Sequence, residues 1–159
     1  MIPPLTAPAH RPGLRATGAG VVVAAPPEVL DDDPPVRALM STRVVAIVPS
    51  APLSTALHLM VTAGVRHLPV MEDGRCTGMV TETDVLRGLA ARRGPWGTAD
   101  LHVLDVLRAA PAVTGSTRLS GAAAVMLDGD NDAVLIRGAD GGIAGILTAT
   151  DLVHALARR

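Results

Sequence analysis

The feature that most constrains this chain is an internal duplication. Gly78-Met79-Val80-Thr81-Glu82-Thr83-Asp84 returns 67 positions later as Gly145-Ile146-Leu147-Thr148-Ala149-Thr150-Asp151. Each stretch reads as a buried strand running directly into a helix, with a hydroxyl and a carboxylate three residues apart at the junction. Val36 answers Val103 and Asp73-Gly74 answers Asp140-Gly141 at the same offset, whereas Leu53 and Met60 answer Leu119 and Met126 one residue short of it. A unit of roughly 55 residues seldom buries enough surface to be stable alone. The two copies are therefore expected to pack on each other about a pseudo-twofold axis.

The order of elements is the same in both copies. Val36 to Met40 reads as a helical turn, and Val44-Val45-Ala46-Ile47-Val48 as a buried strand that Pro49 ends. Ser50 is placed to cap the next helix, whose Leu53, Ala56, Leu57, Met60 and Val61 form one apolar face until Gly64. His67 to Met71 and Cys76 to Val80 flank an Asp73-Gly74 hairpin turn, and a helix follows from Glu82 to Ala91. In the second copy the corresponding pieces are Leu101 to Leu107, Ala112 to Thr114, Leu119 to Leu127, Ala133 to Ile136, Ile143 to Leu147 and Ala149 to Ala157. The expected class is α/β (α+β), with two β-α-β-β-α repeats: residues 36–94, then a linker and second repeat over 95–159. Residues 1–35 read as a disordered Pro/Ala/Gly-rich tail in which only Val21-Val22-Val23 suits a sheet edge. The linker from Arg92 to Thr98 holds Trp96, which is expected to cover apolar surface.

Composition excludes several functional classes. With a net charge of −1 and one aromatic residue in 159, the chain lacks the footprint of a nucleic-acid binder. No apolar run approaches the roughly 18 residues of a membrane span, and no signal peptide is visible. A cytoplasmic protein with no membrane partner is expected. The single cysteine, Cys76, forms no internal disulfide and suggests no structural zinc; its strand position predicts a buried, inert thiol. His58 and His154 are expected on exposed helix faces without metal spacing. No nucleophilic triad, Walker loop or dinucleotide fingerprint is present, so neither catalysis nor a catalytic cofactor is expected.

The first copy, from VRALMSTRVVAIVPSAPLSTALHLMVTAGVRHLPVMEDG to GMVTETDVL, closely resembles a CBS (cystathionine β-synthase) domain, and the second copy resembles a more divergent one. Together, over residues 36–159, they resemble a tandem CBS pair, or Bateman module, as a stand-alone protein. The resemblance implies two repeats joined through their sheets with two clefts between them. It also implies an adenosine-containing ligand (AMP, ADP, ATP or S-adenosylmethionine), pairing into homodimers, and a regulated protein that the sequence does not name.

The junction residues suit such a ligand. Thr81-x-x-Asp84 and Thr148-x-x-Asp151 fit helix capping boxes, and a helix start favours a phosphate. An ionised aspartate accepts from ribose hydroxyls, while Gly78 and Gly145 are expected to leave room for ligand. In the family, basic residues of one repeat reach the junction of the other, which here implies Arg66 and His67 serving Thr148 and Asp151. Thr81 and Asp84 are then expected to face Asp128, Asp130 and Asp132 and to form the weaker cleft. By the same resemblance, the adenine lies near Val45 or near Val113. The preferred function is a regulatory module sensing an adenosine ligand; the alternative is a dimerisation scaffold with empty or degenerate clefts.

Overall fold

A computed structural model of the chain describes residues 32–91 and 100–158. The tail up to residue 31, with Val21-Val22-Val23, and the Arg92–Thr98 linker, with Trp96, lie outside the described residues. The chain divides at residue 32, and the elements below all belong to its second unit, residues 33–159.

The second unit is a mixed α/β fold with four described α-helices and two small sheets. Helix α1 (Leu53–Ala63) precedes strands β1 (His67–Glu72) and β2 (Arg75–Thr81) and helix α2 (Glu82–Ala91). The second repeat gives β3 (Ala112–Thr114), α3 (Leu119–Asp128), β4 (Ala133–Arg137), β5 (Ile143–Thr148) and α4 (Ala149–Ala157). Short 3-10 turns at Val36–Ala38 and Val103–Asp105 lead into the two copies. β1 and β2 pair antiparallel around Asp73 (φ 48°) and Gly74 (φ 76°), both in the left-handed region that an Asp-Gly hairpin turn requires. In the other sheet β3 runs parallel to β4, and β4 antiparallel to β5.

The first expected strand does not form as a ladder. Of Val44–Val48 only Ile47 bridges β1, donating to Pro69 O at 3.0 Å and accepting from Met71 N–H at 2.8 Å. Extending the pairing by two residues would need an N–H from Pro69, which has none. In the second repeat the corresponding donor exists: Leu135 N–H meets Pro111 O at 2.9 Å, and β3 forms. Helix α1 is not capped by Ser50, because its N-cap is Pro52, without a side-chain cap. The start of α3 is capped instead by Asp33, whose carboxylate accepts from Ser120 N–H at 2.7 Å and Ser120 Oγ–H at 2.6 Å. Asp33 to Pro35 thus form an ordered end to the segment read as a disordered tail.

Strand alternation divides the apolar side chains into three clusters. Leu68, Val70 and Val80 point to a first core with Leu53, Ala56, Met60 and Val85. Val134, Ile136 and Leu147 point to a second with Leu119, Ala122 and Met126. Met79, Ala133, Leu135 and Ile146, from the opposite strand faces, form a seam that joins the two sheets.

The lead-in turns are exchanged between the repeats. Val36, fully buried, belongs to the second core, while Val103, also fully buried, belongs to the first. Their backbones dock alike: Val36 N–H donates to Thr117 O at 2.8 Å, and Val103 N–H to Ala51 O at 2.9 Å. After each turn the chain bridges the other repeat's second hairpin strand, Ser41 against Ile146 and Arg108 against Met79. These two bridges are related by the same 67-residue offset as the sequence, which is the two-fold relation expected of the duplication.

Candidate ligand-binding site

Helix α4 begins where β5 ends, and its first turn is closed reciprocally. Thr148 Oγ1 accepts from Asp151 N–H at 3.3 Å, while Asp151 Oδ2 accepts from Thr148 N–H and from the Thr148 hydroxyl, each at 2.8 Å. The capping box read in the sequence is therefore formed. Asp151 is only partly buried, and its Oδ1 has no hydrogen bond among the described residues.

Thr148, Thr150 and Asp151 form one wall of a cavity of about 280 Å³. The other walls come from Arg66 and His67 at the start of β1 and from the extended segment with Ser41, Arg43 and Val45. Four of the expected site residues, Arg66, His67, Thr148 and Asp151, are thus brought together across the two repeats. Arg66 Nη2 lies 3.5 Å from Thr150 Oγ1, so its guanidinium already spans the cleft. Of the two apolar positions the resemblance offered, Val45 lines this cavity and Val113 does not.

His67 has a different bonding role from the one expected. It is 7% exposed, and its Nε2 donates to Asp132 Oδ1 at 2.7 Å. Burial by itself raises the Asp132 pKa, but the hydrogen bond and electrostatics of His67, with help from Arg66, outweigh it and hold the carboxyl below the usual aspartate value. Asp132 therefore braces His67 from the second repeat, and Arg66 and Arg43 remain as the cations of the cavity.

The junction of the first repeat is built differently. Thr81 donates its hydroxyl to Asp84 Oδ2 at 2.7 Å and accepts from Asp84 N–H at 3.1 Å. Asp84 Oδ1, however, receives Arg108 Nη2 at 2.9 Å, and the Asp84 side chain is only 7% exposed. A guanidinium from the opposite lead-in segment thus stands against this junction's carboxylate. Thr81 and Asp84 do not line the 280 Å³ cavity. Nor do they line a groove of about 670 Å³ between the two hairpin tips, which Gly78 alone of the expected site residues touches.

Gly78 and Gly145 do not make room for a ligand. A Cβ at Gly145 would lie 2.7 Å from Ser41 O, and one at Gly78 would collide with the Leu107 side chain and Arg108 O. Each glycine admits the backbone of the exchanged lead-in segment. Cys76, expected to be buried, is exposed near the hairpin tip, its Sγ 3.2 Å from Gly78 O. His58 and His154 are exposed, and no cluster of three metal-ligating side chains occurs among the described residues. Sequence reading missed Ser41, Arg43, Thr150 and Arg108. For Arg108 a signal was present: it stands where the first copy has Ser41.

Comparison with known proteins places these features. Residues 36–91 match the CBS domain family model. An uncharacterised conserved protein from Pyrococcus horikoshii shares 26% identity with a TM-score of 0.70, over 82% of this chain and 97% of that one. CBSX2, solved in complex with AMP, shares 29% identity with a TM-score of 0.65, over 79% of this chain and 97% of its own. The CBS domain pair of MJ0100, solved with 5′-methylthioadenosine and S-adenosyl-L-methionine, has the same fold at 15% identity and a TM-score of 0.70, over 79% and 98% of the two chains. These structural matches extend well past residue 91 and so take in the second copy. Among the described residues no helix is long and apolar enough to cross a membrane.

Proposed function

The chain carries a CBS domain at residues 36–91 and is built as a tandem CBS pair, and on that premise we propose that it is a regulatory module, not an enzyme, that binds an adenosine-containing ligand. One observation carries this reading: Arg66 of the first repeat and Thr148, Thr150 and Asp151 of the second converge on one cavity. In it the ribose hydroxyls donate to Asp151, the adenine packs beside Val45, and the phosphate meets Arg66 and the first turn of α4. Among the adenosine ligands AMP is the first candidate for this cavity of about 280 Å³. The similarity to CBSX2, solved with AMP, supports the same choice. The domain limits proposed are 36–94 and 95–159, with the lead-in turns exchanged, and the compartment proposed is the cytoplasm.

AMP, ATP and S-adenosylmethionine are compared by thermal unfolding and calorimetric titration. AMP at a hundred times its dissociation constant is expected to add about 2.7 kcal/mol of stability. Asp151→Ala is expected to weaken AMP binding roughly tenfold to a hundredfold through one or two lost hydrogen bonds, and Arg66→Ala is expected to weaken it as well. Unchanged affinity in both folded variants would overturn the site. No shift with any of the three ligands would leave the scaffold reading in its place.

The module is proposed to pair with itself through helices α2 and α4. Leu86 on α2 is 49% exposed, and its counterpart at the 67-residue offset, Val153 on α4, is 61% exposed, with Leu156 close by at 60%. Sedimentation at micromolar concentration should give a dimer; a clean monomer would remove this part of the proposal.

A further inference from the structure

We infer that Arg108 is a built-in occupant of the first repeat's cleft, so that the protein takes a single nucleotide, and that exchanging Arg108 for its counterpart residue opens a second site. The inference rests on the reading of the Arg66–Asp151 cavity as a nucleotide site.

The two junctions share the pattern Thr-x-Thr-Asp, yet of the two cavities described above, among the described residues, the one of about 280 Å³ is lined by the second junction and neither is lined by Thr81 or Asp84. At Asp151 both described acceptor contacts fall on Oδ2, and both come from Thr148. At Asp84, Thr81 again holds Oδ2, but Oδ1 is taken by Arg108 Nη2 at 2.9 Å. A guanidinium donates N–H groups to the carboxylate as the hydroxyls of a ribose would, so Arg108, its side chain 53% exposed, holds the acceptor oxygen that a ribose would need.

The placement of this arginine follows from the backbone. Arg108 N–H donates to Met79 O at 3.0 Å and Arg108 O accepts from Met79 N–H at 2.9 Å, which fixes its Cα beside β2. Ser41 makes the matching pair of bonds to Ile146, at 2.9 and 3.0 Å. Its short side chain, instead of reaching Asp151, turns to Arg43 O at 3.4 Å and leaves the 280 Å³ cavity beside it. One side chain at equivalent backbone positions thus separates a closed junction from an open one.

The test is a reciprocal exchange read by AMP stoichiometry. Calorimetric titration of the full chain is expected to give one AMP per chain, and Arg108→Ser is expected to give two. The added site is expected to vanish again in Arg108→Ser combined with Asp84→Ala. Ser41→Arg places a guanidinium opposite Asp151 and is expected to weaken AMP binding at least tenfold while the protein remains folded. It also serves if Arg108→Ser, which strips a partner from a buried carboxylate, does not fold.

The outcomes separate the two claims. One AMP in both the parent chain and folded Arg108→Ser, or undiminished binding in Ser41→Arg, overturns the role of Arg108 and leaves the cavity assignment standing. No AMP in the parent with one in Arg108→Ser overturns the cavity assignment and supports the role of Arg108. No AMP in either protein overturns both.

Discussion

Replacing Val36 with aspartate is expected to destabilise the protein by about 4 kcal/mol or more, and to do so in the repeat to which Val36 does not belong in sequence. Val36 is fully buried among Leu119, Ala122, Met126, Val134, Ile136 and Leu147. A carboxylate there has no cation beside it within that apolar cluster, so it must be buried uncompensated or drive the turn out of the core. Residue-resolved hydrogen exchange should show protection lost first across α3, β4 and β5. The mirror substitution, Val103→Asp, should expose α1, β1 and β2 first, because Val103 lies with Leu53, Met60, Leu68 and Val80. Val36→Ala gives the graded version if the aspartate variant does not accumulate. Early loss of protection in α1 and β1 for the Val36 variants would contradict the exchange of lead-in turns.

Gly78→Val is expected to cost about 3 kcal/mol or more in urea unfolding. A Cβ at this position collides with Arg108 O as well as with the Leu107 side chain. The side chain has rotamers into which to retreat, but the carbonyl belongs to the bridge with Met79 and has none. Opening that bridge also withdraws Arg108 from Asp84, leaving a carboxylate that is 7% exposed without its cation. Gly74→Ala provides the comparison. Nothing lies within 4 Å of a Cβ there and only the positive φ is strained, so a loss of about 1 kcal/mol is expected. Equal losses at the two positions would refute the close approach at Gly78.

How far the sequence revealed this structure depended on whether the signal was local. Both Thr-x-x-Asp junctions mark their own helices, and α2 and α4 run over the residues read for them, Glu82–Ala91 and Ala149–Ala157. The Asp73-Gly74 turn likewise stated its own geometry. Val44–Val48 misled because apolar content measures burial, whereas a ladder also needs donors, and Pro69 on the facing strand withholds one. The exchange of Val36 and Val103 was hidden for a different reason: periodicity says that a side chain is buried but not in which of two similar cores. The site shows the same division. Arg66 and His67 stood out as a basic pair at a strand start, but the Asp132 that engages His67 is 65 residues away and carries no motif. Arg108 looked like one arginine among many, and only the comparison with Ser41 at the same offset sets it apart.

The exchanged turns also bear on how the protein is made. A ribosome delivers the chain from its N-terminus, and a domain whose contacts are local can fold as it emerges. Here Val36 is synthesised early, but its neighbours in the second core extend to Leu147, so it waits for nearly the whole chain. The first core lacks its last fully buried side chain until Val103 has emerged. Neither repeat is therefore complete as a nascent unit, and contacts over such separations slow folding by raising contact order. Release of a chain stopped between the repeats would leave a half-molecule with an unfilled core and a valine turn with nowhere to dock.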